Sequence, residues 1–212
     1  MTSEKIEALL NPQIQKSIEQ IKGLLRQIEN KTIGFQKQTG LHCKKGCGAC
    51  CLSPHVSTTF VEVLPLAIEL WSNGQAEQIL AKIERSPKQG QCVFYGPYPK
   101  IRTNGRCSIY SHRPGVCRLF GFSSTTDKYG KETLMTCKVI KETYPKDYAH
   151  AQKCFQDGLA SASLSGYTLL VGSIDPQEGG RLYPINHAIK KALEYIGFYT
   201  KSFCFRNGKQ NG

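Results

Sequence analysis

Acidic residues are missing from two long stretches of the 212-residue chain. None lies between Glu29 and Glu62, where Lys31, Lys37, Lys44 and Lys45 stand. None lies from Arg85 to Thr126, which holds Arg85, Lys88, Lys100, Arg102, Arg106, Arg113 and Arg118. Long apolar runs are missing as well. Nothing approaches the roughly 18 uncharged apolar residues of a membrane-spanning helix. The opening MTSEKIEALLNPQIQKS has charges among its first residues and no apolar run, so no secretory leader is expected. Repeats and dividing linkers are absent too. The expectation is one cytoplasmic domain over 1–204 with a disordered polar tail over 205–212. No acid/base pair or nucleophile constellation stands out, so the sequence selects no substrate.

Cysteine is abundant instead. There are ten, and cytosolic thiols stay reduced, which points to metal rather than disulfides. The stretch "CKKGCGACC" puts Cys43, Cys47, Cys50 and Cys51 into nine positions. Cys92, Cys107, Cys117 and Cys137 follow singly, separated by 14, 9 and 19 residues. Structural zinc sites usually come as two paired knuckles, which this spacing lacks. Iron–sulfur clusters accept lone cysteines from separate loops, so iron gains while zinc stays open. Cys43-x3-Cys47-x2-Cys50 also matches the spacing of radical S-adenosylmethionine enzymes. Those need a strand before it and repeated strand–helix units after it, and this chain offers neither. With so many thiols, His42, His55 and His112 read as surface or supporting groups rather than ligands. His150 and His187 fall on expected helices, and Cys154 and Cys204 read as buried free thiols.

The charge has the same geography. The balance is 28 Lys and Arg against 16 Asp and Glu, net +12, and both acid-free windows coincide with cysteines. A metal held by four thiolates is net negative, and nearby cations stabilise it. A nucleic-acid surface would also be basic, but Phe94, Tyr95, Tyr98 and Tyr110 sit beside turns rather than in a regular stacking series. Charge compensation is the favoured reading.

The local patterns predict a mostly helical α+β fold. Ile14, Ile18, Ile21, Leu25 and Ile28 form one stripe of a long helix ending near Gly34–Gly40. Thr59 and Glu62 make a capping box, and Pro65 implies a kink or a delayed helix start. Ser72-Asn73-Gly74 ends that helix, and a second carries Leu80 and Ile83. Asn104-Gly105 reads as a turn joining "CVFY" to "CSIY" in a hairpin that lifts Cys92 and Cys107 together. Pro114-Gly115 would turn to present Cys117, and a turn at Tyr129-Gly130 precedes Cys137. A helix over 146–160 contains Cys154, and a last one opens at Pro184 and is stopped by Gly197.

"CKKGCGACC", "CVFY" and "CSIYSHRPGVCR" together resemble the YkgJ-type cysteine-cluster family, a zinc- or iron-chelating domain. The matching positions are Cys43, Cys47, Cys50, Cys51 and Cys92, then Cys107, Ile109 and Tyr110, then Arg113, Pro114, Cys117 and Arg118. Cys137 fits the eighth cysteine position. The resemblance spans residues 43 to about 137 and implies metal binding. The expected cofactor is iron, with a 4Fe–4S cluster one option, or zinc, held as two four-cysteine sites or as one cluster with additional structural ligands. Some flagellin lysine methylases share the motif, but no strand followed by a glycine-rich methyl-donor loop is found here. Arg113, Arg118 and Tyr110 are expected to support the ligands, the two arginines by donating to sulfur and fixing the loop. The alternatives are a cluster-dependent enzyme modifying protein or RNA, and a nucleic-acid binder with structural zinc. Any protein partner is left open.

Overall fold

The computed structural model describes residues 1–44, 46–86, 90–98 and 101–208, without the side chains of 97–98, 101–104 and 204–208. Lys45, Lys88 and Lys100 therefore lie outside the described residues, as do the side chains of Tyr98, Arg102, Asn104 and Cys204.

Helix α1 (Ser3–Ala8) leads into the long α2 (Pro12–Thr39). Asn11 caps α2, its Oδ1 accepting from the Ile14 N–H at 2.9 Å, and Pro12 takes the first turn, where its missing N–H costs nothing. Gly40 closes the helix at φ 72°, a left-handed conformation suited to glycine. The expected stripe is buried at Ile18, Ile21, Leu25 and Ile28, joined by Leu24 and Phe35. The cysteine motif ends in the single turn α3 (Ala49–Leu52), followed by strand β1 (Ser57–Thr59). The Thr59–Glu62 capping box is present, and a 3₁₀ turn (Val61–Val63) precedes α4 (Leu64–Ser72), so Pro65 does delay the α-helix. Helix α5 (Ala76–Glu84) follows.

The expected hairpin forms, but its turn lies elsewhere. Strands β2 (Tyr95–Tyr98) and β3 (Ile101–Cys107) pair antiparallel, Tyr95 opposite Cys107, so Asn104-Gly105 sits inside β3. Gly105 is there for space: a Cβ on it would stand 2.3 Å from the Tyr95 ring. Helix α6 (Gly115–Leu119) carries Cys117. Strands β4 (Ser123–Thr126) and β5 (Glu132–Met135) pair antiparallel, and helices α7 (Lys138–Thr143) and α8 (Pro145–Gln156) follow. Short β6 (Ala162–Ser163) lies parallel to β4 and runs into α9 (Leu164–Ile174). Strand β7 (Leu182–Pro184) pairs with β1 and opens α10 (Ile185–Gly208).

Gly197 does not stop this last helix. The helix passes through it because Trp71 packs there: a Cβ would meet the indole at 2.6 Å, while Trp71 Nε1 donates to the Leu193 carbonyl at 2.8 Å. The expected tail is shortened accordingly, with residues up to Gly208 helical and 209–212 outside the described residues.

Two apolar clusters result. The larger joins α1, α2, α4 and α10 through residues such as Ile21, Leu64, Ile68, Ile189 and Leu193. The smaller gathers Phe35, Leu41, Phe122, Ile140 and Ala151 where the end of α2 meets α7 and α8. Among the described residues no helix is long and apolar enough to cross a membrane.

Candidate metal centre

Backbone hydrogen bonds sew the cysteine motif to the hairpin. The Gly105 N–H donates to the Gly46 carbonyl at 3.0 Å, and the Cys92 N–H donates to the Cys51 carbonyl at 2.9 Å. Gly48 makes this approach passable. It has φ 56°, and a Cβ there would meet the Tyr95 ring at 2.7 Å and the Gly105 carbonyl oxygen at 3.0 Å. Asn186 of α10 clips the Cys92 segment from behind, its Oδ1 accepting from the Val93 N–H at 2.9 Å and its Nδ2 donating to the Gln91 carbonyl at 3.0 Å. Lys82 of α5 donates to the Val93 carbonyl. Cys107 ends β3 and Cys117 rides on α6. Cys137 caps α7, its sulfur accepting from the Ile140 N–H at 3.4 Å.

The thiols divide between the two clusters. Cys92 is buried in the larger, with Cys51, Cys107 and Cys117 packed against it. Cys137 packs on the smaller, and Cys43 feels both Cys47 and Cys137 as electrostatic neighbours. Cys50 stands between, bonded to Cys51 and sensed by Cys43, Cys92 and Cys117. Each of the nine cysteines from Cys43 to Cys154 is a free thiol.

Proton affinities follow from this packing. A hydrogen bond from the Cys51 thiol, helped by the Arg113 charge, draws Cys50 down to about 6 against the cost of burial. The same thiol, with Arg113 again, draws Cys107 down to about 7. Cys51 is correspondingly pushed far up, since its proton serves Cys107 and Cys50 at once. Cys43 is exposed as a residue, but desolvation of its sulfur first, then neighbouring thiols, push it up to about 12, and burial takes Cys92 up to about 11. Cys117 is raised still further, by burial and then by Cys92 and Cys50. The apolar surroundings resist negative charge on most of these sulfurs, while one cation and one shared proton favour it on two.

Two carboxylates, unremarked in the sequence beyond Glu62's place in the capping box, fix α6. Buried Glu62 accepts through Oε2 from the Thr58 and Thr59 hydroxyls and the Thr59 N–H. Through Oε1 it accepts from the Gly115 N–H at 3.1 Å and the Tyr167 hydroxyl at 2.5 Å. Burial, then the Glu62 charge, hold the Tyr167 phenol far above its usual range, so it stays a donor. Gly115 has no room for a side chain beside that ring: a Cβ would stand 2.1 Å from it. Glu29 of α2 pairs with Arg118 at 2.7 Å and, more loosely, with Arg113 at 3.8 Å. These are the two acids that bound the first acid-free window. Their positions in the sequence were the available signal.

Arg113 and Arg118 bracket Cys117 as expected, but their N–H groups go to carbonyls. Arg118 donates to the carbonyls of Arg113 at 2.7 Å and Ser111 at 2.6 Å. Arg113 donates to those of Tyr110 at 3.0 Å and Cys117 at 3.3 Å, and its guanidinium stacks 3.6 Å over the exposed Tyr110 ring. Both arginines thus hold backbone carbonyls, and Arg113 alone acts by charge on Cys50, Cys107 and Cys117. His42, His55 and His112 are exposed, and His42 stacks on Tyr144. His187 is exposed against Tyr183. Cys154 is half-buried rather than buried, 3.5 Å from His150 Nε2.

Among the described residues, no three His, Cys, Asp or Glu side chains already form a metal-ligand set. The thiols make a chain of neighbours rather than a closed shell. Their chemistry nevertheless suits soft-ligand metals, because every donor gathered here is sulfur. No curated protein and no solved structure matches the chain. A family model described as "CxxCxxCC: putative zinc- or iron-chelating domain" matches residues 42–154, which is 113 of the 212 residues. With more than half its length matched and its thiols gathered from five segments, the chain belongs to this CxxCxxCC family of zinc- or iron-chelating domains.

Proposed function

We propose that Cys43, Cys47, Cys50, Cys51, Cys92, Cys107, Cys117 and Cys137 chelate metal as thiolates, with iron in an iron–sulfur cluster favoured over zinc. The observation that carries this reading is the continuous run of thiol neighbours from Cys43 and Cys137, through Cys50, to Cys51, Cys92, Cys107 and Cys117. When bound, the metal supplies a cross-link between chain segments and, as a cluster, an electron-transfer centre. The residues do the rest. Arg113 offsets negative charge at Cys50 and Cys107, and Cys51 gives up its shared proton as metal enters. Glu62 and Glu29 hold α6 in place, and Asn186 holds the Cys92 loop.

Nucleic acid is the less favoured partner. Arg113 and Arg118 are engaged with Glu29 and backbone carbonyls, which leaves little of either for phosphate. Metal and acid-labile sulfide are measured on protein prepared without oxygen. Iron with matching sulfide is expected, zinc without sulfide would select the other metal, and protein free of both metals would overturn the proposal.

A further inference from the structure

Beside the thiols lies a cleft that shares only Cys137 with the proposed ligands. It has a volume of about 340 Å³ and is lined by Phe120, Gly121, Leu134, Met135, Thr136, Cys137 and Lys141. That is at the lower end of the ~300–1,000 Å³ of small-molecule sites. It opens between the end of α6, two residues after Arg118, and the turn from β5 into α7, so it adjoins the segments carrying Cys117 and Cys137.

Its walls have a distinct chemistry. Phe120, Leu134 and Met135 are apolar, and Phe120 is 48% exposed, a large ring left uncovered at the rim. The backbone of Gly121, at φ 92°, forms the floor. A Cβ there would crowd Ile140 Cδ1 at 3.2 Å and lie 3.9 Å from Cys137 Cβ, so glycine keeps the floor clear beside Cys137. Thr136 and Lys141 add polar residues to this lining. The buried Thr136 hydroxyl has no hydrogen-bond partner among the described residues, an unusual state for a buried polar atom. Lys141 has no carboxylate partner among the described residues and only leans toward the Tyr148 ring, 5.1 Å away. Its neighbour Lys138, by contrast, pairs with Glu142.

We propose that this cleft binds a small organic monoanion with an apolar body, of the aryl- or alkyl-carboxylate class. The apolar part lies against Phe120, Leu134 and Met135, and the charge lies toward Lys141. An apolar wall with one lysine at its edge selects this combination: a neutral hydrocarbon would make no use of the cation, and a polyanion would find only one positive charge. The inference needs the cleft and not the metal, so it can fail or hold apart from the chelation reading.

The sequence supplies the reporter. Met1 and Met135 are the only two methionines, so protein labelled with ¹³C at the methionine methyls gives one signal in the cleft and one far from it. The protein as purified, its metal content measured before and after, is titrated with 4-phenylbutyrate. A saturable shift of Met135 with Met1 unmoved is expected. The neutral 4-phenylbutyramide, and phenylbutyrate with Lys141→Glu, should each bind about fivefold more weakly or worse, the scale of an exposed charge contact. Phe120→Ala should also weaken binding, whereas Lys138→Glu should leave it unchanged. No saturable Met135 shift overturns the proposal, as does an amide that binds equally well, or a Lys138→Glu loss equal to that of Lys141→Glu.

Discussion

The thiols on the larger apolar cluster and those on the smaller one are held by different means. Around Cys51, Cys92, Cys107 and Cys117 the protein has built its own scaffold. Asn186 clips one loop, Glu62 and Tyr167 hold the start of α6, and Glu29 anchors the two arginines beyond it. Cys43 and Cys47 have little of this. Cys43 is exposed in the stretch after Gly40, and the Cys47 N–H is held by a local bond to the Lys44 carbonyl at 3.0 Å. Their partner Cys137 is fixed by its own capping of α7. The difference teaches where metal matters to order. The inner segment has its backbone partners built in, while under the proposed chelation the outer one would gain most of its constraint from metal.

The largest way to break this contrast is to remove the inner scaffold. Glu62→Ala strands the Tyr167 hydroxyl, the Gly115 N–H and two threonine hydroxyls in a buried site. It should cost about 3 kcal/mol or more, which for a chain of this size is a Tm loss of roughly 6–12 °C. Metal content should fall with it. A Glu62→Ala protein with parental Tm and full metal would remove Glu62 from the account.

Cys117→Ser comes next. It should lower metal content and Tm together, by about 2 kcal/mol, while Cys43→Ser lowers metal content with a smaller Tm change. Gly197→Ala serves as the remote comparison. Its methyl overpacks against Trp71, costing about 1–3 kcal/mol, and it should leave metal content untouched. If Cys43→Ser destabilises more than Cys117→Ser, the ordering of inner and outer regions is reversed.

A smaller effect sharpens the contrast inside the metal-free protein. Cys50 is lowered to about 6 and Cys107 to about 7, so at pH 7.5 Cys50 is almost wholly and Cys107 mostly thiolate, and each takes up a proton as pH falls through its value. Cys43, raised to about 12, stays a thiol throughout that range. Alkylation by iodoacetamide, read by peptide mass, should therefore mark Cys50 and Cys107 before Cys43 at pH 7.5, although Cys43 is the most exposed of the three. The preference should fade toward pH 5.5. Faster labelling of Cys43 at pH 7.5 would contradict the assigned environments.

Much of this was legible in the sequence. The stripe from Ile18 to Ile28, the Thr59–Glu62 box and the delay at Pro65 are local patterns, and local patterns determine helix faces and ends. Cysteine spacing told of convergence. What stayed hidden was tertiary. Gly197 looks like a stop until Trp71, 126 residues earlier, occupies the space where a side chain would be. Asn104-Gly105 looks like a turn until Tyr95 and Gly48 require a bare backbone at Gly105. Glu62 reads as a cap, and nothing near it in sequence says that Gly115 and Tyr167 donate to the same carboxylate. The two acid-free windows were noticed for their lysines and arginines, while the acids at the borders of the first proved to be the ones that hold α6, which carries Cys117.

The central claim is that sulfur alone holds the metal. X-ray absorption at the edge of whichever metal copurifies reads the first coordination shell directly. The account predicts a shell of sulfur, at ~2.3 Å if the metal is zinc, lost in a Cys107→Ser/Cys117→Ser double variant. A first shell dominated by nitrogen or oxygen, or an unchanged sulfur shell in that variant, would contradict it.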